Sequence, residues 1–151
     1  MTKTLIRHAV SADFASLLEI DEASFPGGVA YDAVELAYFM NREGAETIVA
    51  EGHGTILAFL IMEVHRTRRT ATIVTLDVRE GSRRNGYGSQ LLKRSEEILA
   101  DHGVEFYELQ VDVTNQSAIR FYEKHGFRIV RTLRHYYANG HDGYLMVKEL
   151  M

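Results

Sequence analysis

The chain has 151 residues, 46% of them apolar and 25% charged, which predicts one soluble globular domain spanning 1–151. It has no cysteine, and this excludes a disulfide scaffold, a thiolate zinc site and a cysteine nucleophile. The net charge of −4 argues against a general nucleic-acid surface, and no apolar run approaches the ~20 residues of a membrane span, so a cytoplasmic protein is expected.

Thr4 to Val10 reads as a short strand. Ser11 stands where a helix cap would, before Phe14, Leu17, Leu18 and Ile20 at helical spacing. Phe25-Pro26-Gly27-Gly28 ends that helix, and a second short helix covers Asp32 to Asn41. Strands rich in β-branched residues follow at Glu46–Glu51, Thr55–Val64 and Ala71–Val78, separated by His53-Gly54 and by the basic stretch Arg66–Arg69. From Gly86 the period becomes helical through Leu91, Leu92, Ser95, Ile98 and Leu99, with a stop at Asp101-His102-Gly103. Phe106–Val113 alternates, with Tyr107, Leu109, Val111 and Val113 on one face and Glu108, Gln110 and Asp112 on the other. Ser117 to His125 reads as a helix stopped by Gly126, and Phe127–Leu133 and Gly143–Glu149 as two closing strands. The whole is a mixed α/β sheet with helices on its faces.

The sharpest motif is Arg83-Arg84-Asn85-Gly86-Tyr87-Gly88, between a predicted strand and a predicted helix. The first amides of a helix lack intrahelical acceptors and the helix dipole favours negative charge there, so this turn suits a phosphate. Glycines let an anion approach the backbone, and the arginines add positive charge. Leu91 stands where a dinucleotide fingerprint needs glycine, and no Gly-Lys-Ser/Thr of a P-loop follows. Taken alone, the turn also fits a basic loop that merely opens a helix.

The turn resembles the acyl-CoA-binding turn of the GNAT acetyltransferases, Arg/Gln-x-x-Gly-x-Gly/Ala. Asn115, Ala118, Tyr122, Gly126 and Phe127 resemble that superfamily's N-x-x-A-x-x-x-Y-x-x-x-G-F, and Ile6-Arg7-x-Ala9-x-x-x-Asp13 is also usual there. The resemblance covers the whole chain. It implies the GNAT fold, an α/β architecture with a mixed, mostly antiparallel central sheet of about seven strands and about four helices. A narrower resemblance is to the RimI-like N-terminal protein acetyltransferases. It is carried by Phe25-Pro26 with Tyr31, and by Tyr136-Tyr137-Ala-Asn-Gly140-x-Asp142-Gly143, where Gly143 replaces the usual alanine and His141 the usual glutamate.

The resemblance implies direct acetyl transfer from acetyl-CoA to a primary amine, with no metal. The pantetheine arm would pair with the strand at Leu76, Asp77 and Val78, and the Val78 amide would bind the thioester oxygen. The pyrophosphate would sit on amides from Arg84 to Ser89, flanked by Arg83 and including Asn85, Gly86, Tyr87 and Gly88. Tyr122 stands at the place of the family's general acid, which must reach the leaving sulfur within ~3 Å. Asn115 and Ser117 open the following helix, with Asn115 either on the pantetheine or capping that helix. Phe25, Pro26, Gly27, Tyr31, Tyr136 and Tyr137 would line the groove for a peptide or protein N-terminus. A monomer or a homodimer fits equally.

The proton acceptor departs from the family pattern. Related enzymes carry glutamate or histidine at the position of Gln110, or tyrosine or glutamate at that of Thr72, and neither residue here is an effective base. An α-amine has a pKa near 7.7–8.0 against about 10.4 for lysine, so near pH 7.5 roughly a third of α-amines are neutral but only about one lysine in a thousand. A weak base therefore suits an α-amine, with Gln110 placing a water. Glu108 and Asp112 lie each about 7 Å along the same strand face, either as distant bases or as solvated carboxylates. Two other readings stay open. An acidic cleft of Glu108, Asp112 and Asp142 would favour a small cationic amine, and Gln110 would fit a catalytically weak acyl-CoA-binding module. The histidines form neither H-x-x-x-H nor H-E-x-x-H, and no metal site is expected.

Overall fold

The computed structural model describes residues 4–24 and 30–150. Seven strands form one sheet in the order β1-β2-β3-β4-β5-β7-β6, from β1 (Leu5–His8), β2 (Ala45–Gly52), β3 (Thr55–His65), β4 (Thr70–Val78), β5 (Phe106–Asp112), β6 (Arg128–Leu133) and β7 (Gly143–Glu149). Only the β4–β5 pair is parallel, so the sheet is mixed and mostly antiparallel, as the resemblance implied. Four helices join it: α1 (Phe14–Ser24), α2 (Ala33–Asn41), α3 (Tyr87–Asp101) and α4 (Gln116–Lys124).

The helices begin where local chemistry supplies partners for their first amides. Asp32 accepts from the Glu35 amide at 2.8 Å while the Glu35 carboxylate accepts from the Asp32 amide at 3.1 Å, a reciprocal cap for α2. Before α1 the expected cap is displaced. Ser11 lies in a single 3-10 turn and its hydroxyl caps nothing. Val10 is the N-cap residue instead, and Asp13 accepts from its amide at 2.8 Å while both guanidinium nitrogens of Arg7 donate to Asp13, at 2.8 and 3.0 Å. The Arg7 bond, working against burial, holds the Asp13 carboxyl below the usual carboxylate range.

The two sheet faces are covered differently. One is packed by α3 through Leu91, Leu92, Ser95, Ile98 and Leu99, the i, i+3/i+4 stripe of an amphipathic helix, together with Ile119, Tyr122 and Phe127. The other is covered by α1 and α2 through Leu17, Ile20 and Leu36, which meet Val49, Phe59 and Ile61. That second cluster reaches β4 at Val74. On β5 the same face carries Glu108, Gln110 and Asp112, which are half-buried.

Strand β4 changes phase midway. Ile61 pairs with Thr75 and Met62 with Ile73, so Val74 is an extra residue on the bulged strand. Beyond the bulge, Leu76 and Val78 pair with Leu60 and Ala58 and pack on the α3 side. Thr75 and Asp77 pair with Ile61 and Phe59, which belong to the α1 side.

The largest fully buried side chain, Tyr107, donates its hydroxyl to Ser95 Oγ at 2.9 Å, tying β5 to α3. Burial raises that phenol's pKa, so it stays a donor. Replacing Tyr107 by Phe is expected to cost about 1 kcal/mol. Thermal unfolding checks this, with a Tm lower by about 2–4 °C.

Candidate active site

The site is built around a divergence of two strands. β4 pairs with β5 only from Thr70 to Ile73, against Phe106 to Leu109. Beyond Ile73, β4 stays paired with β3 through Val78, and β5 stays paired with β7 through Asp112. The two strands therefore open like a V. The Arg79 amide donates to the Leu57 carbonyl of β3 at 2.7 Å. By the alternation of strand backbone, the amides and carbonyls of Leu76 and Val78 point the other way, into the opening. Among the described residues, Val78 O meets only the Arg83 Nε, at 3.3 Å.

At the open end lies the turn that begins α3. Arg84 and Gly86 both have positive φ, 68° and 82°. Gly86 is the N-cap residue, and no side chain caps the helix. The amides of Tyr87, Gly88 and Ser89 therefore find no acceptor among the described residues and form an anion-receiving surface. Asn85 Nδ2 donates to Ser82 O at 3.1 Å, fixing the turn from within.

Helix α4 closes the opposite side. Gly88 is buried against it, where a Cβ would approach Phe121 Cζ to 3.3 Å, so glycine permits the close seating of α3 on α4. Ser89 Oγ and His125 Nε2 are 2.9 Å apart. Asn115 accepts from the Ala118 amide at 3.2 Å and caps α4, and the Ser117 hydroxyl leans toward Asn115 Oδ1 at 3.4 Å. The Tyr122 ring packs edge-on against Phe121 and Phe127. Its hydroxyl makes no hydrogen bond among the described residues. Burial first, then Asp77, raises the Tyr122 phenol's pKa, so it remains protonated and able to donate.

The other face of the opening carries tyrosines. Tyr31 is pushed up to about 12 by burial and then by Asp21, Asp77, Tyr136 and Glu35. Tyr137 is raised by burial, then Tyr136, Asp112 and Tyr31. Tyr31 therefore lies within electrostatic reach of Tyr136 and Tyr137, whose own rings meet edge to face at 5.0 Å. Gly143 packs beneath the pair: a Cβ there would reach Tyr137 Cε2 at 3.2 Å, which is a physical reason for glycine. Phe25, Pro26 and Gly27 lie outside the described residues.

Residues 14–127 match the Acetyltransferase (GNAT) family. The chain belongs to the GNAT acetyltransferases. It is 31% identical to an N-alpha-acetyltransferase of Sulfolobus acidocaldarius, over 96% of this chain and 92% of that one. Its structure superposes on that of Ard1 from Thermoplasma volcanium with a TM-score of 0.89 and 26% identity, over 98% of both chains. It shares its fold with the Escherichia coli ribosomal-protein-S18-alanine N-acetyltransferase, with a TM-score of 0.87, 24% identity, and coverage of 98% of this chain and 94% of that one.

Three features of this acetyltransferase were not read from its sequence. Asp77 was placed only by its backbone, yet its side chain is 2% exposed and meets Asp21, itself fully buried. The alternation sets Thr75 and Asp77 apart from the apolar Leu76 and Val78, so no local signal marks this carboxylate as buried. Thr72 has a titratable neighbour: its hydroxyl lies 3.1 Å from His65 Nε2, and Glu63 is 3.9 Å from that imidazole. His141 Nδ1 lies 2.8 Å from Asp112 Oδ2. Burial raises the Asp112 carboxyl, but bonds from Thr114 and His141 outweigh it and leave the pKa lowered.

The Ser89–His125 contact makes an acid-side prediction. Burial, then Lys124 and Lys148, lower the His125 pKa against the opposing pull of Glu96. The stability of the neutral imidazole is present above the ordinary histidine pKa and lost as pH falls through the depressed one. Tm followed downward in pH should fall less steeply for His125→Gln than for the parent protein.

Proposed function

We propose that the enzyme transfers the acetyl group of acetyl-CoA to the α-amine of a peptide or protein N-terminus. The observation that carries this reading is the open edge of β4, with unpartnered helix amides and a buried phenol on one side and a tyrosine cluster on the other. The name of the archaeal relative, alike over nearly the whole chain, supports an α-amine as acceptor.

Acetyl-CoA supplies the thioester, and the residues fit it. The β4 edge at Leu76 and Val78 offers backbone groups to an extended amide chain such as pantetheine, whereas Asp77, expected to share that edge, turns its own backbone groups to β3. The Val78 amide, turned into the opening, receives the thioester oxygen, where fixed donors stabilise developing charge. The amides from Arg84 to Ser89 receive pyrophosphate, with Arg83 beside them. Tyr31, Tyr136 and Tyr137 hold the acceptor's backbone, their rings giving apolar area and their hydroxyls polar contacts.

Gln110, on the β5 face turned to the tyrosines, orients a water that takes one proton from the ammonium group. The amine nitrogen then bonds to the thioester carbon, the carbon–sulfur bond breaks, and the nitrogen gives up a second proton to solvent to leave the neutral amide. Tyr122 gives its proton to the departing thiolate and regains one from solvent. The free amine fraction near neutral pH lets a weak acceptor suffice for an α-amine.

The acidic-cleft reading loses support from local geometry. Asp112 is engaged by Thr114 and His141, and Asp142 Oδ1 accepts from the His135 amide at 2.9 Å. Two of its three carboxylates therefore hold the β6–β7 connection in place.

CoA release should be measured with unblocked peptides, N-blocked lysine peptides and free polyamines. Turnover on unblocked peptides alone is expected, and turnover on polyamines alone would overturn the reading. Tyr122→Phe should lower kcat about 10²-fold or more with little change in acetyl-CoA KM. An unchanged kcat would remove Tyr122 from the chemistry.

A further inference from the structure

Asp21 of α1 and Asp77 of β4 are 0% and 2% exposed, and their carboxyl groups act directly on one another. The Tyr31 amide donates to Asp21 Oδ2 at 2.8 Å, and the Thr75 hydroxyl donates to Asp77 Oδ1 at 2.7 Å. Each carboxyl thus has one oxygen satisfied. The other two, Asp21 Oδ1 and Asp77 Oδ2, are buried and have no partner among the described residues. Two bare carboxylate oxygens in contact within a low-dielectric interior would repel each other, and burial adds a desolvation cost. One proton between them turns that repulsion into a charge-assisted hydrogen bond. Arg83 acts on Asp77 only at a distance, since its Nε donates to the Val78 carbonyl.

We propose that Asp77 stands as a carboxylic acid donating from Oδ2 to Asp21 Oδ1, and that this pair is a positioning device fixing Tyr31 on the acceptor side of the transfer site. The role rests on the acceptor reading of Tyr31 given above. Burial first, and Asp21 second, push the Asp77 carboxyl well above the usual carboxylate range, against the opposing effects of Thr75 and Arg83. The groups that face it are Asp21 of α1, Tyr31 before α2, Thr75 of β4, Arg83 after β4 and Tyr122 of α4. Asp77 lies within electrostatic reach of both Tyr31 and Tyr122, so the pair stands between the acceptor and donor sides. Loss of its proton sets two like charges together where α1 meets β4 and loosens the anchor of the Tyr31 amide.

Asp77→Asn mimics the acid, because the amide nitrogen donates to Asp21 Oδ1 while the amide oxygen still accepts from Thr75. It deletes the titration and keeps the bonds. The ratio of peptide KM, parent over Asp77→Asn, cancels the substrate's own ionisation. It should be near one at the acid end and rise with pH, by up to about tenfold per pH unit above the pKa of Asp77. The ratio of kcat, parent over variant, should not change with pH, since neither aspartate is placed to exchange a proton with the amine. A flat KM ratio would overturn the proposal. So would a kcat loss at every pH with KM unchanged, which would make Asp77 a proton acceptor instead.

A second readout needs no substrate. A carboxyl whose folded pKa is raised contributes stability present below its unfolded pKa and lost as pH rises through the folded one. The Tm of Asp77→Asn minus that of the parent should therefore grow with pH, and a constant difference would refute the protonated pair. If the parent acetylates no α-amine, the acceptor reading fails while this measurement still decides the state of Asp77. Should Asp77→Asn not fold, Asp21→Asn offers the complementary donor to Asp77 Oδ2 and is read in the same way.

Discussion

The separation of β4 from β5 past Ile73 is the constraint on which the site depends. An interior strand edge left without a partner carries backbone groups that must find another one. The sheet tolerates the gap because each strand is secured on its far side, β4 by β3 and β5 by β7. The bulge at Val74 adds twist to β4 and turns Leu76 and Val78 toward α3. Helix α3 then starts at the mouth of the opening and α4 lines its flank. An extended ligand with amides at one end and phosphates at the other meets complementary groups along the whole path.

Much of this was legible from local signals. The apolar stripe of α3, the strict alternation of β5 and the Gly86–Gly88 turn each rest on short-range rules that the fold does not override. The cap before α1 was misread because Ser11 is a good capping residue in isolation, whereas Asp13, held by Arg7 of the first strand, binds the Val10 amide and makes Val10 the N-cap. Asn115 left two roles open, and its bond to the Ala118 amide shows that it caps α4. The Asp21–Asp77 contact was out of reach for a different reason. It joins residues far apart in the chain, and the bulge that turns Asp77 toward α1 has no sequence signature of its own. The link between Ser89 and His125 is likewise a product of helix packing.

Burial sorts the tyrosines by electrostatic state. Tyr31, Tyr107, Tyr122 and Tyr137 are all pushed toward the protonated form, mainly by desolvation. A phenol kept neutral is a dependable donor, which suits the structural tie at Tyr107 and the proton delivery proposed for Tyr122 alike. Position separates the two uses: the Tyr107 hydroxyl is bonded to Ser95, while that of Tyr122 is left without a partner among the described residues.

The gathering of Tyr31, Tyr136 and Tyr137 has an optical consequence. The chain has eight tyrosines and no tryptophan, so its ultraviolet emission comes from phenols alone. Rings as close as the 5.0 Å of Tyr136 and Tyr137 exchange excitation and are quenched by any partner that takes their hydroxyl protons. The protein thus carries three of its eight tyrosines at one mouth of its cleft, free of the indole signal that masks such residues in most proteins.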